Sequence, residues 1–193
     1  WSALSNHTHG LLCLTGCRRG AVLKHLAVGD VGSAKRSLSH LLDLFGRRKV
    51  YVELQRNLRR DDVKLSRRLV ALAHERDLPY IATGNVHYLT RDEADVQSAL
   101  VSVSQRVPLP KAANILRPNH EYFLHSPAAM LALYSDIPLA VTRTLEVAER
   151  CNVKLPMGLQ VLPPFPAPRD MNADDYLRSL CNEALPRQYP HTT

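Results

Sequence analysis

Residues 50–89 read VYVELQRNLRRDDVKLSRRLVALAHERDLPYIATGNVHYL, and this stretch decides the fold. Residues 50–54 are β-branched and aromatic, and residues 80–83 form a short apolar run behind Pro79, so both suit buried strands. Between them Val63, Leu65, Leu69, Leu72 and Ala73 recur at helical spacing, with Arg67, Arg68 and Glu75 on other faces. Strand, helix and strand in that order make a βαβ unit. A crossover helix implies a parallel sheet, which places its chemistry at the carboxyl ends of the strands. Glu53, Gln55, Asn85 and His87 stand at or near those ends.

Working outward, residues 11–15 are a short apolar run ending at Gly16 and Cys17, read as a strand and a turn. The spacing predicts an amphipathic helix over residues 30–45, with Val31, Ala34, Leu38, Leu41, Leu42 and Phe45 on one face and Gly46 as its stop. After His87, Thr90 and Glu93 have capping-box spacing and open a helix to about Gln105. Three strand-and-helix pairs look like one side of an α/β barrel, since the glycine loop of a ligand-binding doubly wound sheet is missing. A loop with Pro108, Pro110 and Pro118 follows, then a brief strand over 121–124. Ser126 and Pro127 start a helix to Tyr134, and Pro138 starts another to Cys151 that buries Ala140, Val141, Thr144, Leu145 and Ala148. Pro156, Pro163, Pro164, Pro166 and Pro168 make an extended linker, and residues 173–185 form a last helix with Tyr176, Leu177, Leu180 and Leu185 as its apolar side.

The 193 residues are 45% apolar and 22% charged, enough for a buried core and typical of a globular chain. A net charge of +7 favours polyanionic partners through non-specific attraction. Four cysteines, Cys13, Cys17, Cys151 and Cys181, are too scattered for a disulfide scaffold, so a reduced, cytoplasmic setting is expected. No apolar run approaches the roughly 18 residues that span a bilayer, and no signal-peptide pattern opens the chain, so no membrane partner is expected. The chain starts at Trp1 and is read as a fragment of something longer.

The candidate chemistry is modest. His7 and His9 have H-x-H spacing, which on a strand points both rings to one face, although a histidine pair in a ragged terminus is more often solvated. Cys17 stands just past a strand end, where a thiolate could bind a soft divalent metal or simply fill a turn. Glu53 is a candidate oxygen ligand or base, or a partner for Arg56 or Arg59. His87 is the strongest single metal-ligand candidate, against simple hydrogen bonding. Arg56, Arg59, Arg60, Arg67 and Arg68 either meet a phosphate backbone or form a solvated face, with no interleaved aromatics to stack bases.

Several segments together resemble a known family. GLLCLTGCRRGAV (residues 10–22), VYVELQRNLRR (50–60) and LPYIATGNVHYLTRDEADVQSAL (78–100) are similar to segments of the polymerase and histidinol phosphatase (PHP) domain of bacterial C-family DNA polymerases. EYFLHSPAAMLALYSDIPLAVTRTLEVAERCNVKL (121–155) continues the likeness, and residues 162–189 resemble the passage leaving that domain towards the palm. ELQRNLRRD looks more like the error-prone alpha-subunit branch than the replicative one.

The resemblance implies a distorted α/β barrel with up to three metals at its strand ends. It places Cys17 at a position that can be a ligand and His87 at the histidine of an Asp-x-His pair. The partner position is Asn85, a poorer ligand than Asp, and Asn57 stands where many relatives have His. The family's opening H-x-H-x-x-x-D segment is missing, as are the palm carboxylates that hold magnesium for nucleotidyl transfer. The expectation is therefore an α/β chain: part of a PHP-type barrel over 1–155, a proline-rich linker over 156–172, and a helix over 173–193 leading to an absent palm. Metal candidates are Cys17 and His87, with Asn85 and Glu53 weaker, for zinc or manganese. No catalytic residue is assigned. The function implied is that of a scaffold within an error-prone DNA polymerase, which meets DNA and other replication or mutagenesis subunits through the full-length protein. The alternative is a truncated metal-dependent phosphoesterase of the same superfamily.

Overall fold

A computed structural model describes residues 2–155, 157, 158, 163, 165–168 and 170–190. It divides into two compact units, residues 1–151 and 152–193. The first runs α1 (Ser2–Ser5), β1 (Cys13–Leu14), α2 (Ala21–Ala27), α3 (Val31–Phe45), β2 (Val50–Gln55), α4 (Asp62–Glu75), β3 (Tyr80–Thr83), α5 (Ala94–Gln105), α6 (Pro127–Leu133), α7 (Pro138–Thr142) and α8 (Thr144–Arg150).

The βαβ reading holds. β1, β2 and β3 pair in that order and in parallel, with Cys13 opposite Val50 and Val52 opposite Tyr80. β2 is the central strand and is buried on both faces, which is why it is apolar without alternation. The described strands form an open sheet rather than a closed barrel.

Sequence signals explain the helices around the sheet. The Asp30 carboxylate accepts from the Ser33 N–H at 2.9 Å and caps α3, while Gly46, at φ +80°, ends it in a conformation that favours glycine. Ala34, Leu38 and Leu41 of α3 pack with Val22, Leu23 and Leu26 of α2, a helix that the residue pattern does not announce. Leu65, Leu69, Leu72 and Ala73 of α4 join the same core. Val63, expected on that face, is exposed, because the buried face runs through positions 62, 65, 69 and 72, and Asp62 rather than Val63 takes the first of them. The Thr90–Glu93 capping box forms and opens a short 3₁₀ turn before α5.

Two expected elements are shorter than their patterns. Over 121–124 there is only a single parallel bridge, Tyr88 to Phe123. The helix expected from Pro138 to Cys151 breaks at Arg143 into α7 and α8. The hydroxyls of Thr142 and Thr144 donate back to the carbonyls of Leu139 and Val141 at 3.3 and 2.7 Å, a back-bonding that bends helices. Of that face only Ala140 is buried; Leu145 and Ala148 are exposed.

The second unit holds α9 (Ala173–Gln188), capped by the Asn172 side chain, which accepts from the Asp175 N–H at 2.8 Å. Within this unit Phe165 stacks on Tyr176, and Leu177, Leu180 and Leu185 are exposed. Of the proline-rich stretch, residues 156, 159–162, 164 and 169 lie outside the described residues, Pro156 and Pro164 among them.

Candidate functional site

The loops at the carboxyl ends of all three strands surround one cavity of about 390 Å³. Cys17 comes from the loop after β1, Gln55 and Asn57 from the end of β2, and Asn85 and His87 from the segment after β3. The loop 16–20 is GCRRG, and its two glycines are forced by geometry. Gly16 has φ +85°, and a Cβ on Gly20 would come within 2.8 Å of the Thr15 carbonyl oxygen. The tight turn between them, closed by the Gly20 N–H donating to the Cys17 carbonyl at 2.7 Å, holds Cys17, Arg18 and Arg19 at the rim.

Glu53, the weaker oxygen candidate, is not on the cavity wall. It is buried, and its carboxylate accepts from the Gly16 N–H at 2.9 Å, the Gln55 amide at 2.9 Å and the Thr83 hydroxyl at 2.5 Å. Those bonds tie all three strand ends together, so its chemistry is spent on structure. Asn57 acts similarly. Its amide donates to the carbonyls of Gly84 and Glu121 at 3.1 and 2.7 Å, fastening the ends of β2 and β3 to the segment at 121. Asp62 at the start of α4 is a third hub: it accepts from the backbone N–H groups of Asn57 and Arg59 at 2.7 and 3.0 Å and from Arg18 at 2.8 Å. Nothing in the sequence pattern singled out Asp62 or Arg18. The one signal was the pair of arginines between two close glycines.

His87 is held by its N–H donating to the Tyr122 carbonyl at 2.7 Å. Its imidazole pKa lies below the usual histidine value, first because burial disfavours the cation and second because Arg117 is close. Arg117 Nη2 is 3.5 Å from His87 Nδ1, and its guanidinium lies over the Tyr122 ring. A guanidinium can only donate, so in this long contact Nδ1 is the acceptor, and a cation at the ring would stand beside the Arg117 charge.

The donor set therefore does not fit the metal that the resemblance implies. Among the described residues no group of three or more His, Cys, Asp and Glu could hold a metal ion. The cavity wall offers one thiol, one imidazole facing an arginine, a tyrosine and amides; its single carboxylate, Asp62, already accepts three hydrogen bonds. Four arginines, Arg18, Arg19, Arg59 and Arg117, are among the residues that line the same space, Arg18 being paired with Asp61 and Asp62. His7 and His9 are exposed and do not reach it.

Arg56, grouped by sequence with the arginines of a charged face, is instead buried. It forms a two-pronged bond to Asp136 at 2.6 and 3.0 Å, donates to the Leu133 carbonyl at 2.8 Å and to Ser66 at 3.2 Å, and lies over the Tyr134 ring. Arg68 donates to the Leu26 carbonyl at 3.2 Å.

Parallel strands with helical crossovers and a strand-end cavity are the setting, and residues 1–57 match the PHP domain family. The chain is also similar along nearly its whole length to DNA polymerases. Identity is 32% over 91% of the chain with the DNA polymerase III subunit alpha of Pseudomonas aeruginosa, 32% over 100% with the error-prone DNA polymerase of Symbiobacterium thermophilum, and 34% over 92% with that of Mycolicibacterium paratuberculosis. Residues 1–57 are thus similar to a PHP domain, and nearly the whole chain is similar to a part of the DNA polymerase III alpha subunits and error-prone DNA polymerases. It spans about a sixth of the length of these relatives, 15, 18 and 16% respectively.

Proposed function

We propose that the chain is a scaffold segment of a C-family DNA polymerase of the error-prone type. The observation that carries this is the likeness along nearly the whole chain to polymerases of which it forms a small share. The segment ELQRNLRRD supports the error-prone branch. In the longer protein, template-directed addition of deoxynucleotides, magnesium binding and contact with DNA and partner subunits belong to other regions. The three strand ends, locked by Glu53, Asn57 and Asp62, supply a rigid body on which those regions are arranged.

A metal-dependent phosphoesterase is the second reading, and one observation favours it: Cys17 and His87 line the same cavity. Primer extension separates the two. The longest reading frame containing this chain should extend a primer with magnesium, at a rate unchanged by Cys17→Ala with His87→Ala, and with raised misincorporation. Loss of extension in that double variant would contradict a scaffold role. Manganese-dependent phosphoester hydrolysis by the 193-residue chain itself, abolished in the same variant, would establish the phosphoesterase.

A further inference from the structure

We infer that α5 is a self-association surface, on which a second copy of this chain packs antiparallel about a two-fold axis. The inference is independent of the strand-end cavity and of any polymerase role. A helix at the surface of a lone domain turns its apolar side chains inward, and α5 does the reverse. It sets Ala94 and Ser102 into the protein, with the Ser98 hydroxyl donating to the Ala94 carbonyl at 2.9 Å. Val96, Leu100 and Val103 point outward, 61, 64 and 76% exposed. Their spacings of four and three positions make them one stripe, and no charged residue interrupts the sequence from 96 to 105. The buried Ser102 hydroxyl has no hydrogen-bond partner among the described residues. Alone, the helix therefore loses on both faces, with a polar group buried unpaired and apolar side chains left in water; covering the outer face offsets both.

The stripe is its own complement. Val96 and Val103 stand nearly symmetrically about Leu100, so two antiparallel copies set Leu100 against the partner's Leu100 and Val96 against the partner's Val103. The charges at the two ends of the helix fit the same pairing. Asp95 lies in its first turn and Arg106 at its C-cap, about three turns apart, which puts both on the same flank of the stripe. In a two-fold antiparallel pair each flank meets itself, so each Asp95 lies opposite the partner's Arg106. A parallel pair would set like charges together instead. Both side chains are exposed, and among the described residues the ion-pair contact of Asp95 is a distant one, to His120 at 3.8 Å. One 12-residue helix face is smaller than the interface of a permanent dimer, so a dissociation constant on the order of tens of micromolar is expected.

Sedimentation equilibrium of the 193-residue chain, from about one to a few hundred micromolar, tests this directly. A monomer–dimer equilibrium is expected, weakened about tenfold or more by Leu100→Glu. Leu180→Glu, which puts the same charge on the exposed apolar side of α9, should leave it unchanged. Two variants at exposed positions that folding does not need read the pairing itself. Arg106→Asp and Asp95→Arg each bring like charges together and should weaken the dimer about threefold or more, while both changes in one chain should restore the parent value. A chain that stays monomeric throughout would overturn the proposal and give the face to a different partner, such as another region of a longer polymerase. A dimer lost in Leu180→Glu but kept in Leu100→Glu would overturn it by placing the contact on α9. Failure of the double charge exchange to restore association would overturn the antiparallel pairing.

Discussion

Arg56 and Arg59 stand three positions apart and do opposite things. Arg56 is buried, and the chain supplies it with Asp136, Ser66, the Leu133 carbonyl and the Tyr134 ring. Arg59 faces the cavity, and among the described residues it has no carboxylate partner. The difference lies in the acceptors the fold places around each side chain. Where acceptors come from the chain, an arginine is a structural bolt; where they do not, its charge is left to solvent. The bolt closes the sheet onto the helices after it, because Asp136 and Tyr134 follow α6 while Arg56 follows β2.

The comparison can be broken most severely at Arg56. Arg56→Ala leaves Asp136 with only the exposed Arg67 at 3.9 Å and opens the packing on Tyr134, and should cost about 3–5 kcal/mol in urea unfolding. Asp136→Asn keeps the shape but removes the charge, and because Asp136 is a third exposed the cost should be smaller, about 1–3 kcal/mol. Tyr134→Phe removes the hydroxyl that donates to the Leu54 carbonyl at 3.0 Å, for about 1 kcal/mol. Each is read from the shift in unfolding midpoint, and an Arg56→Ala midpoint equal to that of the parent chain would remove the bolt from the account.

Acid provides a graded version of the same test. Hydrogen bonds from Arg56 hold the Asp136 carboxyl below its usual range, against a smaller opposing effect of burial. A depressed carboxyl contributes stability that is fully present above its unfolded value of about 3.9 and is lost as pH falls through the lower folded value. Melting temperature should therefore fall through that window more steeply in the parent than in Asp136→Asn, the two converging at the acid end. Parallel curves would show that Asp136 does not titrate with folding.

The smallest effect belongs to the other arginine. Arg59→Gln should change stability by no more than about 0.5 kcal/mol, since it breaks no bond of its side chain within the fold. A loss at Arg59 as large as that at Arg56 would erase the distinction between them.

Much of this architecture was legible in the residues. Period and capping placed α3, α4, β2 and β3, because amphipathic spacing and N-cap chemistry act locally. α2 was not legible, since its seven residues bury Val22, Leu23 and Leu26 without a full period. The break at Arg143 escaped because the Thr142 and Thr144 back-bonds compete with a pattern that reads as continuous helix. At the site, Cys17, Asn85 and His87 were placed correctly at strand ends and do share a cavity. What the sequence could not convey was the company they keep. Arg117 reaches His87 across 30 positions and Arg18 reaches Asp62 across 44, and such long-range pairs decide the electrostatics of the cavity. Arg56 misled for the same reason, its partner lying 80 positions away.

The most direct test of the central claim is the metal content of the purified chain, measured by elemental analysis beside His87→Ala. A strand-end cavity without a cluster of three or more metal-ligating side chains among the described residues predicts zinc and manganese well below one ion per chain in both proteins, with no difference between them. Stoichiometric zinc or manganese in the parent, lost in His87→Ala, would contradict that account and make the cavity a metal centre.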